Sequence, residues 1–149
     1  MSLKYASISE KARQEMLAEP HIAILSISNG DEAPISSPIW YLYEPGGDIS
    51  IIVSDQSLKA RRMAEGVKVS FTVDTAEPTK WVSVEGPVVS RRKTDFEPEM
   101  NALVGRYVDD PEAREGFIAG YRPIADEMIR LTIRPERWRG NDLSVDFEV

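Results

Sequence analysis

From Val67 to Asp74 apolar and polar residues alternate without interruption, with Val67, Val69, Phe71 and Val73 set against Lys68, Ser70, Thr72 and Asp74. A period of two puts the two sets on opposite faces of a strand, so this segment has one buried face and one wet face. Half-wet strands are a feature of antiparallel sheets, because parallel sheets are covered on both sides and carry continuous apolar runs. Ile129, Leu131 and Ile133 alternate with Arg130, Thr132 and Arg134 in the same manner and predict a late strand of the same kind.

The remaining elements are placed around these two. His21 to Ser28 is rich in Ile and Ala, and Asn29-Gly30 tolerates positive φ, so a hairpin is predicted to join it to a strand over Pro34 to Tyr43. The turn residues Glu44-Pro45-Gly46-Gly47-Asp48 lead into Ile49 to Ser54, where four of the first five residues are β-branched, which predicts three consecutive strands as a meander. Lys80 to Ser90 predicts a long strand with a bulge or bend at Gly86-Pro87, since proline donates nothing to a ladder and glycine packs nothing.

Helices are predicted over residues 9 to 18, where the pattern of Ile8, Ala12, Met16 and Leu17 is stopped by Pro20, from Ser57 to about Glu65, over Pro98 to Tyr107 and over Pro111 to Tyr121. Residues 135 to 149 read as irregular or edge structure. The sum is a mainly β, α+β fold in a single domain over residues 1–149. It has six antiparallel strands closed as a small barrel to remove their edges, with a helical insertion at about 94–125. An open α+β sheet is the alternative. There is no regular β-α-β alternation and no glycine fingerprint, which argues against a doubly wound dinucleotide-binding sheet.

Composition narrows the chemistry. With no cysteine, thiolate catalysis, disulfides and Cys-ligated metal are excluded. A net charge of -7 argues against broad binding to nucleic acid or an anionic membrane, while leaving room for a local basic pocket. No segment approaches the ~20 apolar residues of a membrane span and no signal-peptide core precedes the first helix, so a cytoplasmic protein is expected. His21 is the single histidine, and without a nucleophile elbow it is expected to be structural. Asp109-Asp110 and Glu97/Glu99 are expected to be helix-start charges and solvated loops, and Arg91-Arg92-Lys93 a solvated strand end, with a phosphate contact as its minor alternative.

Two stretches remain as candidates for a site. Ser54-Asp55-Gln56-Ser57-Leu58-Lys59-Ala60-Arg61-Arg62 leaves a strand and opens a basic helix, with Asp55 or Ser57 as N-cap. Free N–H groups with Lys59, Arg61 and Arg62 beside them favour a bound phosphate, although a capped surface helix with solvated cations has the same pattern. Ser36-Ser37-Pro38-Ile39-Trp40-Tyr41-Leu42-Tyr43 is an aromatic strand interrupted by a proline. Incomplete pairing at Pro38 would leave backbone groups for a flat polar heterocycle, with Trp40 as a wall; plain core packing is the other reading.

Leu25-Ser26-Ile27, then Pro34-Ile35-Ser36-Ser37-Pro38-Ile39-Trp40, Ile51-Ile52-Val53-Ser54, Ser57-Leu58-Lys59-Ala60-Arg61, Val67 to Val73 and Val82-Ser83-Val84-Glu85-Gly86 follow one another in an order and spacing that resembles the pyridoxamine-phosphate-oxidase-like FMN-binding split-barrel family. The resemblance covers about residues 8 to 92. It implies a homodimer with two FMN sites at the subunit interface, a strand along the flavin ring at Ser37, Pro38, Ile39 and Trp40, and further contacts from Val53 and Ser54. It also implies a phosphate-binding turn at Ser57 and Lys59. Where the family often has an arginine this chain has Leu58, which would leave one phosphate charge to Arg61 or Arg62. Trp81 stands where the true oxidases are similar in having glutamine, and Trp138 matches the family's late tryptophan. The Arg-and-His tail that takes pyridoxal phosphate has no match in residues 141 to 149. The implied activity is an FMN-dependent oxidoreduction of a small molecule with no side chain needed as catalyst. The alternatives are an F420-dependent reductase of the same fold or a flavin-binding sensor or storage module without turnover.

Overall fold

The structure is a computed structural model and describes residues 6–143. In chain order it comprises β1 (Ala6–Ser7), α1 (Glu10–Ala18), β2 (Ala23–Ile27), β3 (Ile35–Ile39), β4 (Ile49–Ser54), α2 (Leu58–Arg61), β5 (Lys68–Thr75) and β6 (Lys80–Lys93). There follow α3 (Phe96–Tyr107), α4 (Pro111–Tyr121), a 3₁₀ helix (Arg122–Glu127), β7 (Met128–Ile133) and β8 (Arg137–Asp142). Every pairing between strands is antiparallel, in the order β1-β8-β6-β5-β2-β3, with β7 bridging β6 and β4. Mostly antiparallel sheet curls into a half-barrel accompanied by four α-helices, the α+β split barrel that the sequence predicts.

β6 makes the curl possible by changing partners. Its first part, Lys80 to Glu85, pairs with β8, and its last part, Val88 to Lys93, pairs with β7. The handover falls at Gly86-Pro87, where a corner is expected. A Cβ on Gly86 would lie 1.7 Å from the Arg134 carbonyl oxygen, so only glycine lets the β7–β8 connection cross the strand there. The bulge itself comes one step later, as a register shift between Val88 and Ser90.

β4 is buried along five successive residues, Ile49 to Val53, because both of its faces are covered. One face joins the barrel interior with Leu25, Phe71, Val84 and Leu131, and the other, through Ile52, meets a second core with Met100, Leu103, Val104, Ile118 and Met128. The second core is where α3 and α4 dock, and it places these two helices over the outside of β4 and β7. α1 begins at Ser9, whose hydroxyl accepts from the Ala12 N–H at 3.2 Å, and buries Met16 and Leu17 in the barrel core.

Four expectations are corrected by the fold. The meander does not continue beyond its first hairpin: β2 pairs fully with β3, with Gly30 at φ 62 in the turn, but β4 pairs with β7 and keeps only the bridge Leu42↔Ser50 to the preceding segment. β3 ends at Ile39 and not at Tyr43, because the Tyr41 N–H is taken by the Tyr107 hydroxyl at 3.2 Å and not by a neighbouring strand. α2 is one turn and does not reach Glu65, since the chain leaves helical geometry at Arg62 and turns at Gly66 with φ 91. Residues 137–142, expected to be irregular or edge structure, form β8 between β6 and β1. Residues 144–149 lie outside the described residues.

Candidate functional site

Lys59 projects from the first turn of α2, and its ammonium lies 3.3 Å from the Ser37 hydroxyl on β3. This contact brings together the two stretches singled out from the sequence. Beside it is a cavity of about 380 Å³ lined by Pro38, Ile39 and Trp40 of the β3 segment, Ile52, Val53 and Ser54 of β4, and Lys59, with Ile22, Leu103, Phe117, Tyr121 and Met128 completing the wall. Lys59 is the single charged residue of that lining and Ser54 its one hydroxyl besides the phenol of Tyr121.

The turn from β4 into α2 is tied down by its own side chains. Ser57 caps the helix: its hydroxyl accepts from the Ala60 N–H at 3.2 Å and donates to the Ser54 carbonyl at 2.8 Å. Its donor is therefore committed within the turn. A single helical turn sums few peptide dipoles, so positive charge at this point comes chiefly from the Lys59 ammonium. Arg61 and Arg62, grouped with Lys59 by sequence, are exposed and do not line the cavity. The α2 carbonyls are capped in turn by Arg91, whose guanidinium donates to Ala60 at 2.5 Å and Met63 at 3.5 Å.

Trp40 forms a wall of the cavity in a way the strand pattern does not predict. Its ring is stacked between Tyr107, at 4.6 Å and 10°, and Phe117, at 4.9 Å and 18°. Each such pair contributes ~0.5 to 1.5 kcal/mol beyond area burial. Tyr107 then fastens α3 to the sheet by donating from its hydroxyl to the His21 carbonyl at 2.8 Å. The His21 ring contacts the Glu19 carboxylate at 3.1 Å.

No family model matches the chain, and no curated protein matches it. Solved structures do. An F420 reductase is similar at 17% identity and a TM-score of 0.66, over 84% of this chain and 94% of its own. A candidate pyridoxamine 5'-phosphate oxidase from Corynebacterium glutamicum is similar at 16% identity and a TM-score of 0.58, over 99% of each chain. A FAD-binding protein from Mesorhizobium loti is similar at 13% identity and a TM-score of 0.57, over 93% of this chain and 97% of its own. The fold is that of the pyridoxamine-phosphate-oxidase-like split barrels.

Within this split barrel α3 and α4 supply Leu103, Phe117 and Tyr121 to the cavity. The one sequence signal for them is the i, i+4 spacing of Phe117 and Tyr121, which marks one face of α4 but not what that face meets. A second group of residues departs from its expected role. Glu99 is 9% exposed and takes hydrogen bonds from Arg92 at 2.8 and 3.0 Å, Arg130 at 2.6 Å and the Asp95 N–H at 2.6 Å. Burial pushes its carboxyl up, but the two guanidinium groups outweigh burial and hold it at about 2. Glu99 does stand in the first turn of α3, but it is buried and not solvated; Arg92, half exposed at the strand end as expected, and Arg130 pair with it and tie α3 to β6 and β7. Among the described residues no helix is long and apolar enough to cross a membrane.

Proposed function

We propose that this split barrel is an FMN-dependent oxidoreductase acting on a small molecule, with the cavity beside Lys59 as the cofactor site. The observation that carries this reading is the Lys59–Ser37 contact at the edge of an apolar cavity, which sets a cation against the end of a space shaped by flat apolar walls. The donor set fits a flavin phosphate. Of the three N–H donors of Lys59, one faces Ser37 and the others are available to an anion, and no carboxylate lines the cavity to oppose it. Pro38, Ile39, Trp40, Val53 and Ser54 would hold the ring, Lys59 the phosphate, with Ser57 keeping the turn in shape and Arg61 and Arg62 adding longer-range charge.

When bound, the flavin supplies the hydride chemistry, and the residues of the chain bind it, orient it and exclude water. No side chain is assigned a catalytic role. F420 is the second reading, favoured by the similarity to an F420 reductase and by the exposed Arg61 and Arg62, which suit a longer acidic tail. The test is the visible spectrum and mass of the small molecule that co-purifies, followed by titration of stripped protein with FMN, FAD, riboflavin and F420. FMN binding tighter than the other three supports the assignment. F420 binding far tighter than FMN overturns it and leaves the fold untouched. Bound flavin that no nicotinamide or small-molecule donor can reduce would mark a sensor or storage module.

A further inference from the structure

Ser54 occupies the cavity wall with its hydrogen-bonding capacity already partly assigned. A serine hydroxyl has one proton to donate and two lone pairs to accept with. The Ser54 proton is directed to Glu127, whose Oε2 lies 3.3 Å from Ser54 Oγ, and one lone pair accepts from the Gln56 N–H at 3.1 Å. One lone pair is left, and Ser54 lines the cavity.

Glu127 is brought here by the fold and not by proximity in sequence. The β4–β7 ladder ends at Ser54↔Met128, and the Asp55 N–H donates to the Glu127 carbonyl at 2.8 Å, so the ladder is prolonged by one bond and the carboxylate is held beside the serine. Ser54 and Glu127 are 73 residues apart. The 3₁₀ helix that ends at Glu127 directly follows α4, so the chain that lines the cavity with Tyr121 at the end of α4 runs straight on to the group that orients Ser54.

Building on the flavin reading above, we infer that Glu127 is a positioning residue that makes Ser54 an acceptor toward the cavity, so that the bound ligand must present an N–H or O–H donor at this point. Lys59 makes the opposite demand, for an acceptor or an anion. The site therefore selects a ligand with a donor at the β4 wall and an anionic group at α2. A flavin has two kinds of donor that meet the first demand, the imide N–H of the ring and the ribityl hydroxyls.

The experiment is a fluorescence titration of stripped protein with FMN and riboflavin, for the wild type, Ser54→Ala, Glu127→Ala, Glu127→Gln and the Ser54→Ala/Glu127→Ala double variant. Ser54→Ala is expected to weaken both flavins by about three- to tenfold, the range of one neutral hydrogen bond. Glu127→Ala should weaken both by a smaller factor, and that effect should vanish in the Ser54→Ala background. Glu127→Gln, whose amide oxygen still accepts, should restore the wild-type affinity. A merely structural Glu127 would instead give losses that multiply in the double variant, and this outcome overturns the inference.

Two analogues identify the donor: lumiflavin keeps the ring imide without ribityl hydroxyls, and 3-methylriboflavin keeps the hydroxyls without the imide N–H. A Ser54 dependence retained with one and lost with the other supports the inference, and retention with both overturns it. Flavin binding by the wild type that Ser54→Ala leaves unchanged overturns this inference alone. A wild type that binds no flavin overturns the cofactor reading as well.

Discussion

The ammonium of Lys59 meets the hydroxyl of Ser37 at 3.3 Å, joining the turn after β4 to the edge strand β3 across 22 residues of chain. That pair marks the polar end of a cavity whose remaining walls are almost entirely apolar. If the phosphate of the cofactor sits at this end, Lys59→Ala removes a charge-assisted hydrogen bond worth ~1.5 to 3 kcal/mol. FMN affinity should fall by roughly tenfold to a hundredfold and riboflavin affinity should hardly change, as read by parallel titrations. Equal losses for the two flavins would assign Lys59 to the fold and not to the phosphate.

Arg91 gives the contrasting case. Because its guanidinium caps the carbonyls of Ala60 and Met63, Arg91→Ala frees the end of α2 and is expected to destabilise the protein by ~1.5 to 3 kcal/mol, seen as a lower melting temperature. FMN and riboflavin should weaken together, since the whole turn loosens. The neutral control for both variants is Lys11→Ala, a cation whose side chain is 86% exposed on α1 and pairs with Glu15 one turn along.

Acid stability should report on Glu99. Its folded value, about 2, lies below the ordinary carboxylate value, so its contribution to stability is full above about pH 4.5 and is lost as the pH falls toward 2. The shift corresponds to at most ~3 kcal/mol. Urea midpoints measured between pH 2 and 7 should show Glu99→Gln well below wild type at neutral pH, with the gap narrowing toward pH 2, where about half of the wild-type carboxyl is protonated. A gap that stays constant with pH would mean that the two arginines do not hold a charged Glu99.

Assembly follows from the free side of the sheet. β3 is an edge strand, and next to it Ile22 and Ile24 are 59% and 41% exposed while Ile22 also lines the cavity. An apolar strip beside an unpaired edge is stabilised by covering it, and we propose that a second copy of the chain does so with two-fold symmetry. Light scattering should give twice the protomer mass at micromolar concentration, and Ile22→Asp together with Ile24→Asp should shift it toward one. A protomer mass for the wild type with flavin bound would rule the dimer out.

Local pattern was enough to determine most of the strands of this protein, because a period of two survives any change in what lies across the sheet. Val67 to Val73 and Ile129 to Ile133 declare their buried faces without reference to a partner, and Gly86-Pro87 marks a corner because no other residue pair bends a strand so cheaply. Six of the candidate residues, Pro38, Ile39, Trp40, Val53, Ser54 and Lys59, were also legible as neighbours of one cavity, since they flank consecutive strands of a recognisable order. Tertiary structure alone decided the rest. β4 pairs with β7 and not with β3, and its second face is covered by α3 and α4; its β-branched run says neither which strand lies beside it nor what covers it. Phe117 reached Trp40, Glu99 reached Arg130 and Glu127 reached Ser54 across 77, 31 and 73 positions, and contacts at such separations depend on how whole elements dock, which no local periodicity encodes.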